Sequence, residues 1–356
     1  MKISTRILAA LMALGVCAFA VGCGQDAKPA NTEGAKVIQK VTSSPVAQEF
    51  APLNEVKEGR KNVYAVLKVI KGSYWSEVVK GLKEGAEAAN VNLYMGGALR
   101  EIDWQTQKDL INTLKDKKVD AVILAPSDST NMVHVVQELK AKKIPVILVD
   151  SGLNSKDYDA GFMTNNALAG VKAGEEMINL LKKSGAKETD ELTVRIKLSN
   201  QNNSTLMDRL DGLNSHWTQK APKAWKLNKM LIDDHGDSGL SKSLTDKAIK
   251  NTNNIRGIVS LNNRATVAAV KSIKESGRKD IALVGFDYAP ETAEMIGSAD
   301  LKATSIVQNQ YRMGFDAVRA AADFTSGSKP TGQIVDTGVK IITAENQKEY
   351  EASLKK

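Results

Sequence analysis

Five stretches of this chain place aromatic or hydrogen-bonding side chains directly after runs of apolar residues: Ser73-Tyr74-Trp75, Pro126-Ser127-Asp128, Asp150-Ser151-Gly152, Leu261-Asn262-Asn263 and Phe286-Asp287-Tyr288. A carboxylate accepts hydrogen bonds strongly, a carboxamide both donates and accepts, and an indole or phenol ring offers a flat apolar face. Such groups can orient a small polar solute in a concave site. The three histidines, His134, His216 and His235, form no metal-spaced set, and there is no HExxH pair, Gly-x-Ser-x-Gly elbow or phosphate-binding Gly-rich loop. Gly96-Gly97 is too slight for a dinucleotide loop. The acidic stretch Asp233-Asp234-His235-Gly236-Asp237 lacks the spacing of a calcium-binding loop. Asp150 and Asp287 could form the acid and base of a hydrolase. If they stand on two lobes facing one ligand, they act as acceptors instead. The expectation is binding without catalysis, with no cofactor and no metal.

The elements that must position these groups alternate along the chain. Strands are expected over 63–70, 91–94, 119–125 and 145–149, with helices over 76–90, 106–115 and 130–142 between them. The alternation resumes with strands over 192–198, 225–232, 255–260 and 281–285, and helices over 205–218, 240–251 and 265–275. Continuous apolar strands between amphipathic helices predict parallel sheets covered on both faces. Two successive blocks predict an α/β protein of two similar lobes. In such sheets ligands bind beyond the carboxyl ends of the strands, where the five polar stretches lie.

The N-terminus carries a different signal. Lys2 and Arg6 precede an apolar run over 7–21, closed by Ala20-Val21-Gly22-Cys23. A basic start, a short apolar stretch and small residues before a break form an export signal. The cysteine after the small residues resembles a bacterial lipobox, which makes Cys23 the lipidation site and 1–22 the signal peptide. Residues 23–59 lack apolar mass at their start and are expected to be a flexible tether. Cys17 and Cys23 are the only cysteines, so the body holds no disulfide. The formal charge of the 356 residues is +8; about +6 remains once Lys2 and Arg6 leave, spread over scattered lysines without the stripe of a nucleic-acid groove.

The stretches Val259-Ser-Leu-Asn-Asn263 and Ile281-Ala-Leu-Val-Gly-Phe-Asp287 resemble the periplasmic binding proteins of sugar ABC transporters, the ribose-binding type. Lys302-Ala-Thr-Ser-Ile-Val-Gln308, Ile144-Pro-Val-Ile-Leu-Val-Asp150 and Asp336-Thr-Gly338 match as well, and the resemblance runs from 63 to 346. It implies two Rossmann-like lobes joined by a three-strand hinge: 60–164 with 309–337, and 165–308 with 338–356. The crossings would fall near 163–166, 307–310 and 336–339. Trp75, with Tyr74 beside it, stands where the family stacks an aromatic on a sugar ring. Asp150, Asn262 and Asp287 stand where it hydrogen-bonds hydroxyls, and Gln308 stands at the hinge. Ser127 and Ser151 are further candidates. Each has a plainer reading: Trp75 as core, and Asp150 as the cap of a turn.

The chain also departs from that pattern. Ser151 replaces an arginine, and the start of the second lobe's helix offers Thr205, Leu206 and Met207 where the family has another. Substitutes include Asn202, Asn203, Arg209, His235 and Trp104. The resemblance implies a monomeric solute-binding lipoprotein outside the cytoplasm, tied to the membrane by lipid. It would close on a monosaccharide or polyol and deliver it to an ABC permease and its ATPase. Two alternatives stay open: a sensor presenting its closed form to a chemoreceptor or histidine kinase, and a binder of a non-sugar solute such as a nucleoside. A transcription regulator would need an N-terminal DNA-binding domain, which the export signal displaces.

Overall fold

The computed structural model describes residues 47–231, 237–329 and 331–354. The proposed signal, Cys23, the first part of the tether and His235 lie outside the described residues.

The chain forms two sheets. In the first, β1 (Ala47–Pro52), β2 (Asn62–Leu67), β3 (Asn92–Ala98), β4 (Ala121–Leu124), β5 (Val146–Val149), β6 (Ala160–Met163) and β12 (Gln333–Asp336) lie in the order β1-β3-β2-β4-β5-β6-β12. The second contains β7 (Leu192–Leu198), β8 (Trp225–Leu231), β9 (Ile255–Ser260), β10 (Ala282–Phe286), β11 (Lys302–Gln308) and β13 (Val339–Ile342), in the order β13-β11-β10-β9-β7-β8. The strands from β2 to β6 with β12, and from β7 to β11, pair in parallel.

Alternation along each strand feeds opposite faces. Val63, Ala65 and Leu67 pack on α1 (Ser73–Ala88) and α9 (Gln310–Thr325). Tyr64 and Val66 pack toward α2 (Trp104–Asn112) and α3 (Val133–Ala141). In the second sheet Val194, Ile196 and Val284 meet α4 (Asn166–Lys183) and α5 (Ser204–Lys220). Ile258 and Leu283 meet α6 (Ser238–Asn251), α7 (Asn263–Ser276) and α8 (Pro290–Ile296). The expected α/β architecture of two lobes is what the chain adopts.

Two strands run against the parallel expectation. β1 pairs antiparallel with β3, within the stretch read as tether. Its sequence holds no continuous apolar run to announce a strand, yet Phe50 meets the Tyr64 ring edge-on at 5.1 Å and anchors it. Pro52 is tolerated because β1 is an edge strand. β13 pairs antiparallel with β11, because the chain passes directly into it from β12 across the hinge.

The chain crosses between sheets three times: from β6 into α4, from β11 into α9, and from β12 into β13. These crossings are tied together. Thr164 Oγ1 donates to Gln308 Oε1 at 3.0 Å, and Asp336 Oδ1 accepts from the backbone N–H groups of Asn165 and Gly338 at 2.9 Å each. In each lobe the helix leaving the hinge packs against the helix that starts at the cleft, α9 on α1 and α4 on α5. The contact is backbone to backbone. A Cβ on Gly81 would stand 2.0 Å from the Tyr311 carbonyl oxygen, and one on Gly170 2.0 Å from that of Arg209. Gly81→Ala and Gly170→Ala should each destabilise the protein by roughly 1–3 kcal/mol through overpacking. Gly59, with open space around it, should tolerate a change by a smaller margin despite its positive φ; urea unfolding compares the three.

Candidate functional site

The two lobes carry the same local device. Asp150 follows β5 and Asp287 follows β10, both with left-handed backbone, φ 67° and 68°. Aspartate accepts this conformation more readily than most residues. Each donates its backbone N–H to the neighbouring strand, Asp150 to Phe162 O at 3.1 Å and Asp287 to Ile306 O at 2.9 Å. The turn sends both carboxylates into the cleft, where they are buried at 6% and 2% exposure.

Their surroundings differ. Asp150 is fully engaged by its own lobe. Lys68 Nζ lies 2.6 Å from Oδ2, Tyr74 Oη donates to Oδ1 at 2.5 Å, and Ser151 Oγ donates to Oδ2 at 2.8 Å. Lys68 also meets Ser151 Oγ. Burial works to raise the Asp150 pKa, but Lys68, Tyr74 and Ser151 outweigh it and hold the carboxyl below its ordinary value. Tyr74 is pushed well above the usual phenol range by burial and by the neighbouring carboxylates.

Among the described residues Asp287 has no such ion pair. Gln308 and Gln310 donate to its Oδ1 at 2.9 and 3.4 Å. Burial raises its pKa to about 7 against the opposing field of Arg209. Arg209, itself 2% exposed, is held by three contacts. Its Nε donates to Asn166 Oδ1 at 2.9 Å, its Nη1 donates to Leu261 O at 2.7 Å, and its guanidinium lies 4.0 Å over the Phe286 ring. Its Nη2 is buried without a hydrogen-bond partner among the described residues. Burial depresses the Arg209 pKa, opposed by Asp287, Tyr74 and Asp150.

These groups line one chamber between the lobes. Of the sequence candidates, Tyr74, Trp75, Asp150, Asn203, Arg209, Asn262, Asp287 and Gln308 line it. Ser151 is buried beside it, bonded to Thr205 Oγ1 at 3.0 Å. Ser127 does not line it: its backbone N–H is held by Gln107 Oε1 at 2.8 Å. Trp104 packs on the core of the first lobe, and Asn202 meets Ser129 N through its carbonyl at 3.2 Å.

Several plain readings hold alongside the functional ones. Trp75 is 2% exposed and belongs to the core of the first lobe, with its indole N–H donating to Glu101 Oε1 at 3.2 Å. Asn203 and Asn262 cap α5 and α7 through Leu206 N and Ala265 N. The remaining amide of Asn262 donates to Ser199 Oγ at 3.0 Å. Asp237 caps α6, and among the described residues no group of three metal-ligating side chains occurs.

The sequence reading missed Lys68, Glu101, Arg264 and Ser199. Lys68 had a signal, the lone charge in the apolar run over 63–70. It supplies beside Asp150 the positive charge missing at Ser151. Glu101 and Arg264 had none, because each sits in polar surroundings and only the fold brings them to the cleft.

The lobes touch directly beside the chamber. Ser129 Oγ and Ser204 Oγ lie 3.0 Å apart, and Arg264 Nη1 lies 3.2 Å from Glu101 Oε2. The chamber encloses about 50 Å³, several times the roughly 10–15 Å³ that one water requires on the same measure. A small polar solute fits that space, and an extended chain does not.

The contrast between the carboxylates is testable. Lys68→Met leaves Asp150 buried without its cation and should cost about 3–5 kcal/mol, most of it recovered when Asp150→Asn is added. Asp287 is bound more tightly to its proton in the folded state than in the unfolded chain. Stability should therefore fall as pH rises between about 4 and about 7, and Asp287→Asn should flatten that slope. Chemical unfolding across pH measures both.

The sequence profile of the periplasmic binding protein domain matches residues 63–329. The D-allose-binding periplasmic protein of Escherichia coli K12 is 23% identical over 74% of this chain and 84% of its own. A xylitol-binding protein of Mycolicibacterium smegmatis is 24% identical over 78% of this chain and 79% of its own. Among crystal structures, the periplasmic component of an ABC-type sugar transport system from Hahella chejuensis superposes with a TM-score of 0.73. It is 25% identical, and the match covers 79% of this chain and 99% of that one. A carbohydrate transporter solute-binding protein from Agrobacterium radiobacter, in complex with D-arabinose, superposes at 0.77 with 24% identity, covering 84% and 99%. With most of its length inside the domain match, and with two lobes closing on a polar chamber, the chain belongs to the periplasmic binding protein family, whose members bind solutes without catalysing their reaction.

Proposed function

We propose that the protein is the extracytoplasmic solute receptor of an ABC importer, binding a monosaccharide or a polyol of similar size and passing it to the membrane permease. The observation that carries this reading is the buried Nη2 of Arg209, a donor without a partner in a chamber built from both lobes. Donor and acceptor, Arg209 and Asp287, can face the hydroxyls and ring oxygen of a sugar. Asp150, already satisfied by Lys68, Tyr74 and Ser151, positions Lys68 as a second donor rather than acting as the free acceptor the resemblance implied. Relatives described as binding D-allose and xylitol support the class of solute.

The three crossings at 163–166, 308–310 and 336–339 are the proposed hinge. A solute that contacts both lobes favours the closed form, since only that form makes all the contacts. The N-terminal pattern ending at Cys23 supports a lipid anchor to a bacterial membrane, and the mass of the mature N-terminal peptide tests it.

The deciding experiment is a thermal-shift panel of sugars, polyols, nucleosides and amino acids on protein unfolded and refolded to strip any carried solute. A native-state ligand raises stability by mass action, by about 2.7 kcal/mol at a hundred times its Kd. One monosaccharide or polyol should give a saturable rise, and Asp287→Ala should weaken it by about a hundredfold while the variant remains folded. No rise with any sugar or polyol, or unchanged affinity in the variant, sinks the reading.

A further inference from the structure

The chamber ends at a pair of charges that belong to different lobes. Glu101 lies in the loop between β3 and α2, and Arg264 is the second residue of α7. Glu101 is committed on both oxygens: Oε1 accepts from the Trp75 indole at 3.2 Å and Oε2 from Arg264 Nη1 at 3.2 Å. Trp75 is locked in the core of the first lobe, so Glu101 is held in place before Arg264 reaches it. The pair is partly shielded, with side-chain exposures of 16% for Arg264 and 31% for Glu101. Shielding strengthens its attraction over that of an open surface pair.

A second hollow lies on the far side of this pair. It shares Tyr74, Trp75, Glu101, Asn263 and Arg264 with the chamber, then continues past Lys71, Leu99 and Val267. The shared residues form a wall one side chain thick, and the ion pair is the part of it that joins the two lobes. Inside lie the buried donors and acceptors; outside lie Leu99, 44% exposed, and the exposed Lys71.

We propose that the Glu101–Arg264 pair is a gate on the chamber, confining the bound solute to a single ring or its open-chain equivalent and rejecting any substituent that points to the mouth. The proposal rests on the chamber being the solute site. A free sugar ends at the gate; a glycoside with its aglycone directed outward must displace the pair, losing both the ion pair and the hydrogen bond that aligns Trp75. Removing the gate joins chamber and outer hollow into one longer cleft.

The test needs no known ligand for its first part. The only cysteines are Cys17 and Cys23, so the full chain with Cys17→Ala and Cys23→Ala can carry Ser199→Cys as a single reporter thiol lining the chamber but not the outer hollow. Its reaction is timed with a small reagent, methyl methanethiosulfonate, and a bulky one, biotin-maleimide. Arg264→Ala and Glu101→Gln, the second of which keeps an acceptor for Trp75, should speed the bulky reagent at least about tenfold, through local access rather than unfolding. The small reagent should change little. The exchanged pair Glu101→Arg with Arg264→Glu should slow the bulky reagent again. Ser129→Ala, which loosens a different cross-lobe contact, should leave it slow. Equal rates for the two reagents with the gate intact, or the same acceleration from Ser129→Ala, overturns the proposal.

The second part titrates D-ribose, D-xylose, D-glucose and D-galactose against their phenyl β-glycosides. Free sugars that bind should outdo their glycosides by about tenfold or more, and Arg264→Ala should erase most of that margin. An unchanged margin in the folded variant counts against the gate. If no free sugar binds, the sugar reading of the chamber fails, while the thiol comparison still decides the gate by itself.

Discussion

Everything in the cleft follows from burying two carboxylates at the ends of two strands. A buried charge is tolerated only when it is paired, hydrogen-bonded or neutralised by its proton. The first lobe takes the first route: Lys68, Tyr74 and Ser151 surround Asp150 and keep it ionised. The second lobe takes a looser one: two glutamines share one oxygen of Asp287, and Arg209 acts on it through its field. The asymmetry divides the work. The first lobe presents a rigid, internally balanced wall, and the second retains a donor without a partner and a carboxyl poised near neutrality. That lobe has the greater unmet capacity for a ligand's hydroxyls.

Close helix packing decides what reaches the cleft. The glycine contacts between α1 and α9, and between α4 and α5, bring backbone against backbone and set where α1 and α5 begin. Tyr74 and Trp75 stand in the first turn of α1, and Asn203 caps α5. The helices that leave the hinge, α4 and α9, are capped in the same way by Asn165 and Asn309. Hinge and cleft are therefore built from the same helix pairs.

Much of the candidate site was legible in the chain because strand ends are legible. An apolar run that stops at a polar residue marks the carboxyl edge of a buried parallel strand, and Asp150, Asn262 and Asp287 were found that way. The same rule pointed to Ser127, which follows β4 but does not line the chamber, its backbone N–H being held by Gln107. It also treated Asp150 as a free acceptor, because Lys68 is 82 residues away in the chain yet touches it. Edge strand β1 escaped because an edge needs only one anchoring face, here Phe50, and shows no continuous apolar run.

By itself the sequence determined the α/β architecture, the alternation that covers both faces of each sheet, and the places where polar groups emerge from strands. These depend on local periodicity, which survives in one dimension. Only the tertiary structure decided which emerging groups neutralise one another and which are left for a ligand. Lys68 with Asp150, Arg209 with Asn166, and Glu101 with Arg264 are pairs separated by 82, 43 and 163 positions. Their strength comes from the shielded cleft that brings them within contact, and no local pattern in the chain encodes that proximity.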